Sequence, residues 1–324
     1  MGDPVTLDLD RGPFWFGGAG IGNLARAISD EDARATVDAA WDAGVRGFDT
    51  APHYGLGLSE RRLGAALRSR PRDSYLLSTK VGRRLVPGPG DGVDDDGFAV
   101  PNDLVRSWDA SAEGVRRSLS ESLDRLGLDR VDIAYLHDPD VYGLEPALAT
   151  ALPALAGLRD EGALRAVGVG SNSVAALSAA VDTGLVDVIM LAGRYTLLEQ
   201  PAAALVARCA ELGVQVVAVG VFNSGLLGVE LPDASLTYDY APVPAPLLER
   251  VLAIRSVCLE HGVTLPEAAL AFPLRATAGG AHAVRAIAVG VQSPEQVRQN
   301  VARAGVSVPS ALWDALVAEG LLPA

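Results

Sequence analysis

The chain carries only two cysteines and four histidines in 324 residues. Cys209 and Cys258 each fall in a helix-like stretch with no CxxC spacing. They exclude a disulfide framework and a zinc cluster, and they fit a reducing cytosol. Positive charge is short as well. Lys and Arg total 27 against 40 Asp and Glu, a formal net charge of −13. So acidic a surface argues against nucleic acid or an anionic membrane as partner, and no basic patch interleaved with aromatics offsets it. No apolar run approaches the length of a membrane span. Met1-Gly2-Asp3-Pro4 lacks the basic and apolar regions of a signal peptide. Gly2 with Thr6 matches the spacing of a myristoylation signal, but the pattern is short and the heavy Ala, Arg and Gly usage reads as bacterial. The expectation is a soluble, cytoplasmic chain whose oligomeric state is not legible.

What is present is alternation. Short apolar runs at Phe14–Phe16, Val45–Phe48, Tyr75–Lys80, Val131–Leu136, Leu164–Val169, Val186–Leu191, Val214–Val219 and Ala286–Val291 read as eight strands. All but the first are continuous, as strands buried on both faces should be. Amphipathic stretches with start and stop signals lie between them. Ser29 and Asp30 can cap a helix whose Ala33, Val37, Ala40 and Trp41 share a face, and Gly44 can end it. Ser111 opens another that Gly127 closes, and Ser293-Pro294-Glu295-Gln296 reads as a capping box with proline in the first turn. Eight strands with intervening helices predict one domain over residues 1–324, a (β/α)8 TIM barrel, with a doubly wound open sheet as the alternative. No internal repeat or low-complexity linker divides it. Two connections, Arg83–Ala110 and Asn223–Pro244, are long and rich in Gly and Pro. Both follow strands, and in a barrel such loops gather at the face where active sites form.

Common motifs fall away quickly. Gly17-Gly18-Ala19-Gly20-Ile21-Gly22 has GxGxG spacing rather than the GxGxxG of a dinucleotide fingerprint, and there is no Walker loop, HExxH or GxSxG. What remains are polar residues at successive strand ends: Asp49, then Tyr54 in the following loop, Lys80 and His137. Each alone has a plain structural reading, as turn cap, surface ring, solvent charge or core imidazole. Together they make chemical sense. A tyrosine with an ordinary pKa near ~10 is a poor acid–base group at neutral pH. A neighbouring ammonium lowers that value, and a half-buried ammonium needs a carboxylate to keep it charged and aimed. A neutral imidazole can then donate to a carbonyl oxygen.

On these residues the chain resembles the aldo-keto reductase family. The carrying motifs are Asp49-Thr50-Ala51 with Tyr54-Gly55, Ser59-Glu60 and Leu63-Gly64, then Ser78-Thr79-Lys80 and Leu136-His137, within a likeness running from about Phe14 to Ala304. The resemblance implies a barrel with NAD or NADP across its strand ends. It implies a tetrad in which Tyr54 is the general acid–base, Lys80 and Asp49 tune it, and His137 orients the carbonyl. It further implies that Ser171 and Asn172 hold the nicotinamide carboxamide and that Tyr195 stacks on the ring. Phe222, Asn223, Ser224, Gly225 and Leu226 would form the pyrophosphate-gripping loop. Ala192 stands where the family often has Gln. Members preferring NADP place a basic residue after the eighth strand; this chain has Gly290, Val291, Gln292 and Gln296 there, with Asn300 where the family contacts adenine. A 2′-phosphate needs Arg or Lys, and the helix start at Ser293 supplies only a partial charge. NAD is therefore expected, with NADP as the alternative and no metal.

NAD points to oxidation, because cells keep that cofactor largely oxidised. The stretches Ala51–Gly57, Ala192–Leu198 and Asn223–Leu227 look like the branch holding aldose 1-dehydrogenases for L-fucose, D-arabinose and L-galactose. Pyridoxal 4-dehydrogenase resembles the same branch. The expected partner is a small sugar or aldehyde, the product a lactone, and the substrate wall Trp15, His53, Trp108 and Asp138. Core packing for the tryptophans and a helix cap for Asp138 are the competing readings. A general aldehyde reductase of the same family, a nucleotide-binding module without catalysis, and a barrel metallohydrolase using His53, His137 and Asp49 complete the alternatives. The last lacks an HxH pair.

Overall fold

The computed structural model describes residues 11–239, 241–275 and 282–323; Gly2 and Thr6 lie outside them. Eight parallel strands close a barrel, in the order β1 (Phe14–Gly17), β2 (Gly47–Asp49), β3 (Leu76–Val81), β6 (Ile133–His137), β7 (Ala166–Ser171), β8 (Val188–Ala192), β9 (Gln215–Val219) and β12 (Val284–Gly290), which returns to β1. All eight expected strands are present, most displaced by one or two residues towards their C-terminal ends. Val45, Val131, Leu164 and Val186 are buried but precede the ladder. The strands run on into polar residues that an apolar count leaves out, namely Asp49, His137 and Ser171.

The helices form the outer ring: α1 (Asp30–Asp42), α2 (Leu58–Leu67), α3 (Ala112–Leu126), α4 (Leu144–Asp160), α5 (Val174–Asp182), α6 (Ala203–Leu212), α7 (Ala245–Glu260), α8 (Leu265–Ala271), α9 (Pro294–Ala304) and α10 (Ser310–Ala318). Their start signals act as read. The Ser29 hydroxyl accepts from Asp32 N and the Ser111 hydroxyl from Gly114 N, while Gly127, in the left-handed region, ends α3. The box at Ser293 is only half formed. Ser293 accepts from Gln296 N, but Gln296 Oε1 accepts from Gln292 N instead of reaching back to Ser293. At the start of α8 the other half of such a box is made, Thr264 N donating to Glu267 Oε2 at 2.7 Å.

Both long connections contain sheet. Arg83–Ala110 folds back as an antiparallel pair, β4 (Arg83–Pro87) with β5 (Leu104–Trp108), and the second carries β10 (Thr237–Tyr238) and β11 (Ala241–Pro242). The inside of the barrel is a packed core, as such barrels require. Trp15, Leu76, Ile133, Tyr135, Met190 and Val217 fill it, apart from the larger core under the helices.

One close approach fixes the helix ring beside the site. A Cβ on Gly64 in α2 would run into the carbonyl oxygen of Leu126 in α3. Gly64→Ala should therefore lower stability by about 1–3 kcal/mol through overpacking, read as a lower urea midpoint at unchanged slope. An unchanged midpoint would contradict this packing.

Candidate active site

Strand alternation points Asp49, Lys80 and His137 into the barrel mouth. Lys80 Nζ donates to Asp49 Oδ2 at 2.6 Å and to the Thr50 carbonyl at 3.1 Å, while Ser78 Oγ donates to Asp49 Oδ1 at 2.7 Å. Both charged groups are buried. Thr79, between Ser78 and Lys80, faces outward and donates to the buried Glu60, which also accepts from Arg125 Nε at 2.5 Å. The end of β3 is thus clamped from both sides.

The loop after β2 brings Tyr54 over this pair. Ser59 Oγ donates to the Gly18 carbonyl and shares a hydrogen bond with Thr50 Oγ1, and Gly55, at φ +61°, lies directly against the Gly22 carbonyl. Lys80 Nζ lies 4.6 Å from the Tyr54 ring centre, and His137 meets that ring edge-on at 6.1 Å. The four tetrad residues therefore share one mouth. Burial pulls the Lys80 ammonium down, but the Asp49 carboxylate and Tyr54 outweigh it and hold it above the ordinary lysine value. Burial, with Asp49 adding, pushes the Tyr54 phenol above its ordinary value against the pull of Lys80. This corrects the sequence expectation of a lowered phenol: the cost of burying a phenolate outweighs the pull of the lysine. Burial first, then Arg83, Lys80 and their neighbours, holds His137 well below the ordinary imidazole value. It is neutral, and Nε2, 3.4 Å from Asp138 Oδ2, faces that carboxylate.

Of the expected substrate wall, the structure brings three members to the mouth. His53 packs against Tyr54 and His137. Trp108, at the end of β5, lies over Gly82 and stacks on Tyr142 at 4.6 Å. Asp138, in the left-handed region at φ +43°, accepts from Arg83 Nη2 at 2.5 Å. Trp15 is a correction. It is fully buried inside the barrel, with its ring against Gly47, because its position on β1 points it into the core below the mouth.

The far side of the mouth is lined by small residues. Gly170, the last residue but one of β7, and Ala192, the last of β8, lie on neighbouring strands there, and nothing lies within 4 Å of a Cβ placed on Gly193 or Gly290. Two buried polar atoms of the expected site residues, His137 Nδ1 and Asn223 Oδ1, have no hydrogen-bond partner among the described residues. A flat ring with polar substituents fits this cradle, so the residues suit the dinucleotide that the sequence resemblance implies. Other expected contacts are already engaged. Ser171 Oγ donates to Asp140 and accepts from Ser173 N, whereas Asn172 is exposed. Tyr195 is only 6% exposed and packs against Phe272. In the Phe222–Leu226 loop, Asn223 and Ser224 take up left-handed backbone, Gly225 N and Leu226 N close turns within the loop, and the Leu226 side chain is buried. Asn300 is buried on the inner face of α9.

Sequence reading missed several residues here. Arg83 and Arg106 come from the unforeseen hairpin; neither Arg83–Pro87 (RRLVP) nor Leu104–Trp108 (LVRSW) alternates in the way that would announce a strand. Arg26 is another, its Nε donating to Gln292 Oε1 at 3.2 Å, while Gln292 Nε2 donates to the Leu24 carbonyl. Arg298 lines a surface groove with Ala35, Asp38 and Pro294 and pairs with Glu295.

Comparison with known proteins agrees with this geometry. The model of the Aldo/keto reductase family matches residues 13–316. The chain is 49% identical to a D-threo-aldose 1-dehydrogenase of Pseudomonas sp, over 95% of this chain and 94% of the relative. It is 36% identical to a pyridoxal 4-dehydrogenase of Microbacterium luteolum, over 95% and 93%. A solved aldo-keto reductase from Bacillus halodurans, in its holo form, shares the fold at TM-score 0.72 and 23% identity, covering 95% of this chain and 91% of that one. No helix among the described residues is long and apolar enough to cross a membrane.

The two neutral imidazoles make stability depend on pH. Burial, then Arg83, Arg106 and Lys80, lower His53 to about 2, and His137 is also held low. Unfolded, each protonates near 6.5, so the unfolded chain binds more protons below that value. Their contribution is full above pH 6.5 and declines as pH falls from there towards the folded values. Each histidine should remove about 1.4 kcal/mol per pH unit. Urea midpoints should drop between pH 6.5 and 5.5; midpoints that stay level or rise would contradict buried neutral histidines.

Proposed function

The chain belongs to the aldo/keto reductase family and is an oxidoreductase, and on that premise we propose that it oxidises the anomeric hydroxyl of an aldose to a lactone by hydride transfer to NAD. The observation that carries this reading is the buried Lys80–Asp49 pair beneath Tyr54, with a neutral His137 across from it. The aldose comes from the D-threo-aldose 1-dehydrogenase relative.

The residues divide the work by their chemistry. His137 donates to the reacting oxygen and holds it beside Tyr54 Oη. Lys80 has three protons; Asp49 and the Thr50 carbonyl take two, and the third serves Tyr54. Tyr54 Oη, as phenolate, takes the proton of the anomeric hydroxyl. Trp108 and Tyr142 offer stacked aromatic faces for the C–H side of a sugar. Small residues from Gly170 to Gly290 leave room for the nicotinamide, which supplies the hydride acceptor when bound. Preference for NAD is supported by the absence of Lys or Arg at Gly290, Val291, Gln292 and Gln296, and by the position of Arg298 away from the mouth. Arg26 reaches that turn from the loop after β1 and hydrogen-bonds Gln292.

The test is absorbance of reduced nicotinamide with NAD or NADP and L-fucose, D-arabinose, L-galactose or pyridoxal. Rapid NAD reduction with a sugar is expected, and Tyr54→Phe should lower turnover by about 10²–10⁴-fold. With the Tyr54 phenol raised, oxidation should accelerate as pH rises through 8 to 10, because more of the base is deprotonated. Turnover of pyridoxal alone, or only aldehyde reduction with NADPH, would overturn the aldose assignment. Equal efficiency with NADP would overturn the cofactor preference, and loss of NADP use in Arg26→Ala would identify its source.

A further inference from the structure

The imidazole of His53 is held in an unusually constrained way. Arg106 Nε donates to its Nδ1 at 2.6 Å, Arg83 Nη1 lies 3.4 Å from the same atom, and Arg106 Nη2 donates to the His53 carbonyl at 2.8 Å. Arg106 is fixed in turn by Asp94 and, at 2.9 Å, by Asp96. A guanidinium can only donate, so Nδ1 must accept and the ring proton resides on Nε2. Nε2 has no hydrogen-bond partner among the described residues, and the side chain is 16% exposed.

The position of the ring gives that proton a use. The centres of His53, Tyr54 and His137 form a near-equilateral triangle with sides of 5.9, 5.4 and 6.1 Å, and Phe98 closes it from behind, edge-on to His53. Tyr54 and His137 face the reacting oxygen. The third corner stands one ring-width away, at the distance of the next carbon's substituent. We infer that His53 is a specificity-determining hydrogen-bond donor, presenting Nε2–H to the hydroxyl on the carbon beside the reacting one, and that Arg106 is the positioning residue that fixes this tautomer. The inference rests on the aldose reading above. It narrows the substrate class to aldehydes or hemiacetals that carry a hydroxyl at C2.

Every charged or titratable group around His53 fits this assignment. Burial first, then Arg83 on β4, Arg106 on β5 and Lys80 on β3, disfavours a second ring proton, and His137 on β6 is itself held neutral. Asp138 is engaged by Arg83 and Asp94 by Arg106, and Tyr54 stays a phenol above its usual value. Asp96 Oδ2, 4.0 Å from Nδ1, is the one carboxylate that would draw the proton to the wrong nitrogen if Arg106 were removed.

The test compares D-arabinose with 2-deoxy-D-ribose, the same pentose without its 2-hydroxyl. A site built to hydrogen-bond a hydroxyl rejects the analogue lacking it, so kcat/KM should favour D-arabinose by about tenfold or more. In His53→Phe the ratio should collapse to within about twofold, through loss on D-arabinose. In Arg106→Met the ratio should fall above the imidazole pKa, where the proton moves to Nδ1 facing Asp96. It should recover as pH falls below that value, where both nitrogens carry protons; in the wild type it should not change with pH. Taking the ratio cancels the titration of Tyr54. Independently of turnover, 15N imidazole shifts of the unaltered protein, assigned with His53→Phe, should show Nε2 protonated and Nδ1 bare. A protonated Nδ1 would overturn the inference, as would turnover of both pentoses at equal efficiency. Turnover of neither would overturn the aldose reading itself, and this inference with it.

Discussion

Two opposite charges 2.6 Å apart, sealed in the mouth of the barrel, are the constraint on which the rest depends. Removing Lys80 and Asp49 from water costs several kcal/mol per ion, and their attraction offsets it only when the remaining lone pairs and protons are satisfied. Here they are: Ser78 takes the second carboxylate oxygen and the Thr50 carbonyl takes a second ammonium proton. That leaves one proton with a single direction, towards Tyr54. The neighbouring elements follow from protecting this arrangement. The Glu60–Thr79–Arg125 cluster holds the strand from outside, and the contacts of Ser59 and Gly55 hold the tyrosine loop from above.

Charge is balanced in the same way across the rest of the mouth. Arg83 answers Asp138, Arg106 answers Asp94 and Asp96, and Lys80 answers Asp49. Three cations sit within reach of two imidazoles, yet each is matched by its own carboxylate. Burial keeps the imidazoles neutral, with the cations adding to it, and each of these three cations already has a carboxylate partner. A wall of this kind discriminates by hydrogen-bond geometry and aromatic contact, which suits an uncharged polyhydroxy substrate better than a carboxylate or a phosphate ester.

The sequence was most legible where one residue type has one physical outcome. Apolar runs buried on both faces became strands, and Ser29, Ser111 and Gly127 became caps. Polar residues that interrupt apolar runs at strand ends came together at the barrel mouth. It was least legible where the outcome depends on partners distant along the chain. Trp15 has the same inward parity as the mouth residues and differs from them only in height along its strand, which a four-residue run does not set. The β4–β5 hairpin mixes arginines, a proline and short apolar pairs, so its composition is that of a loop; its order comes from pairing with itself and from Arg83 and Arg106 reaching inward. Arg106 and His53 are separated by 53 positions, and neither sequence environment announces the other.

The cofactor side shows the same limit from the opposite direction. The reading of Gly290, Gln292 and Gln296 considered one turn, but a nucleotide site at a barrel mouth is assembled from several. Gly20 must lack a side chain because a Cβ there would run into the Val291 carbonyl, so the loop after β1 packs flat on the exit of β12. Gln292 then fastens that loop through the Gly20 and Leu24 carbonyls, and Arg26 arrives beside it as a consequence. A cation has thus been delivered to the turn by the packing of a glycine. Its guanidinium is exposed and held by one neutral hydrogen bond, whereas the arginines of the substrate side are locked in ion pairs. The two halves of the mouth are therefore built differently: around His53 and His137 the cations are locked in ion pairs, and beside the β12 exit the mouth is open, lined with glycine, and carries the exposed Arg26.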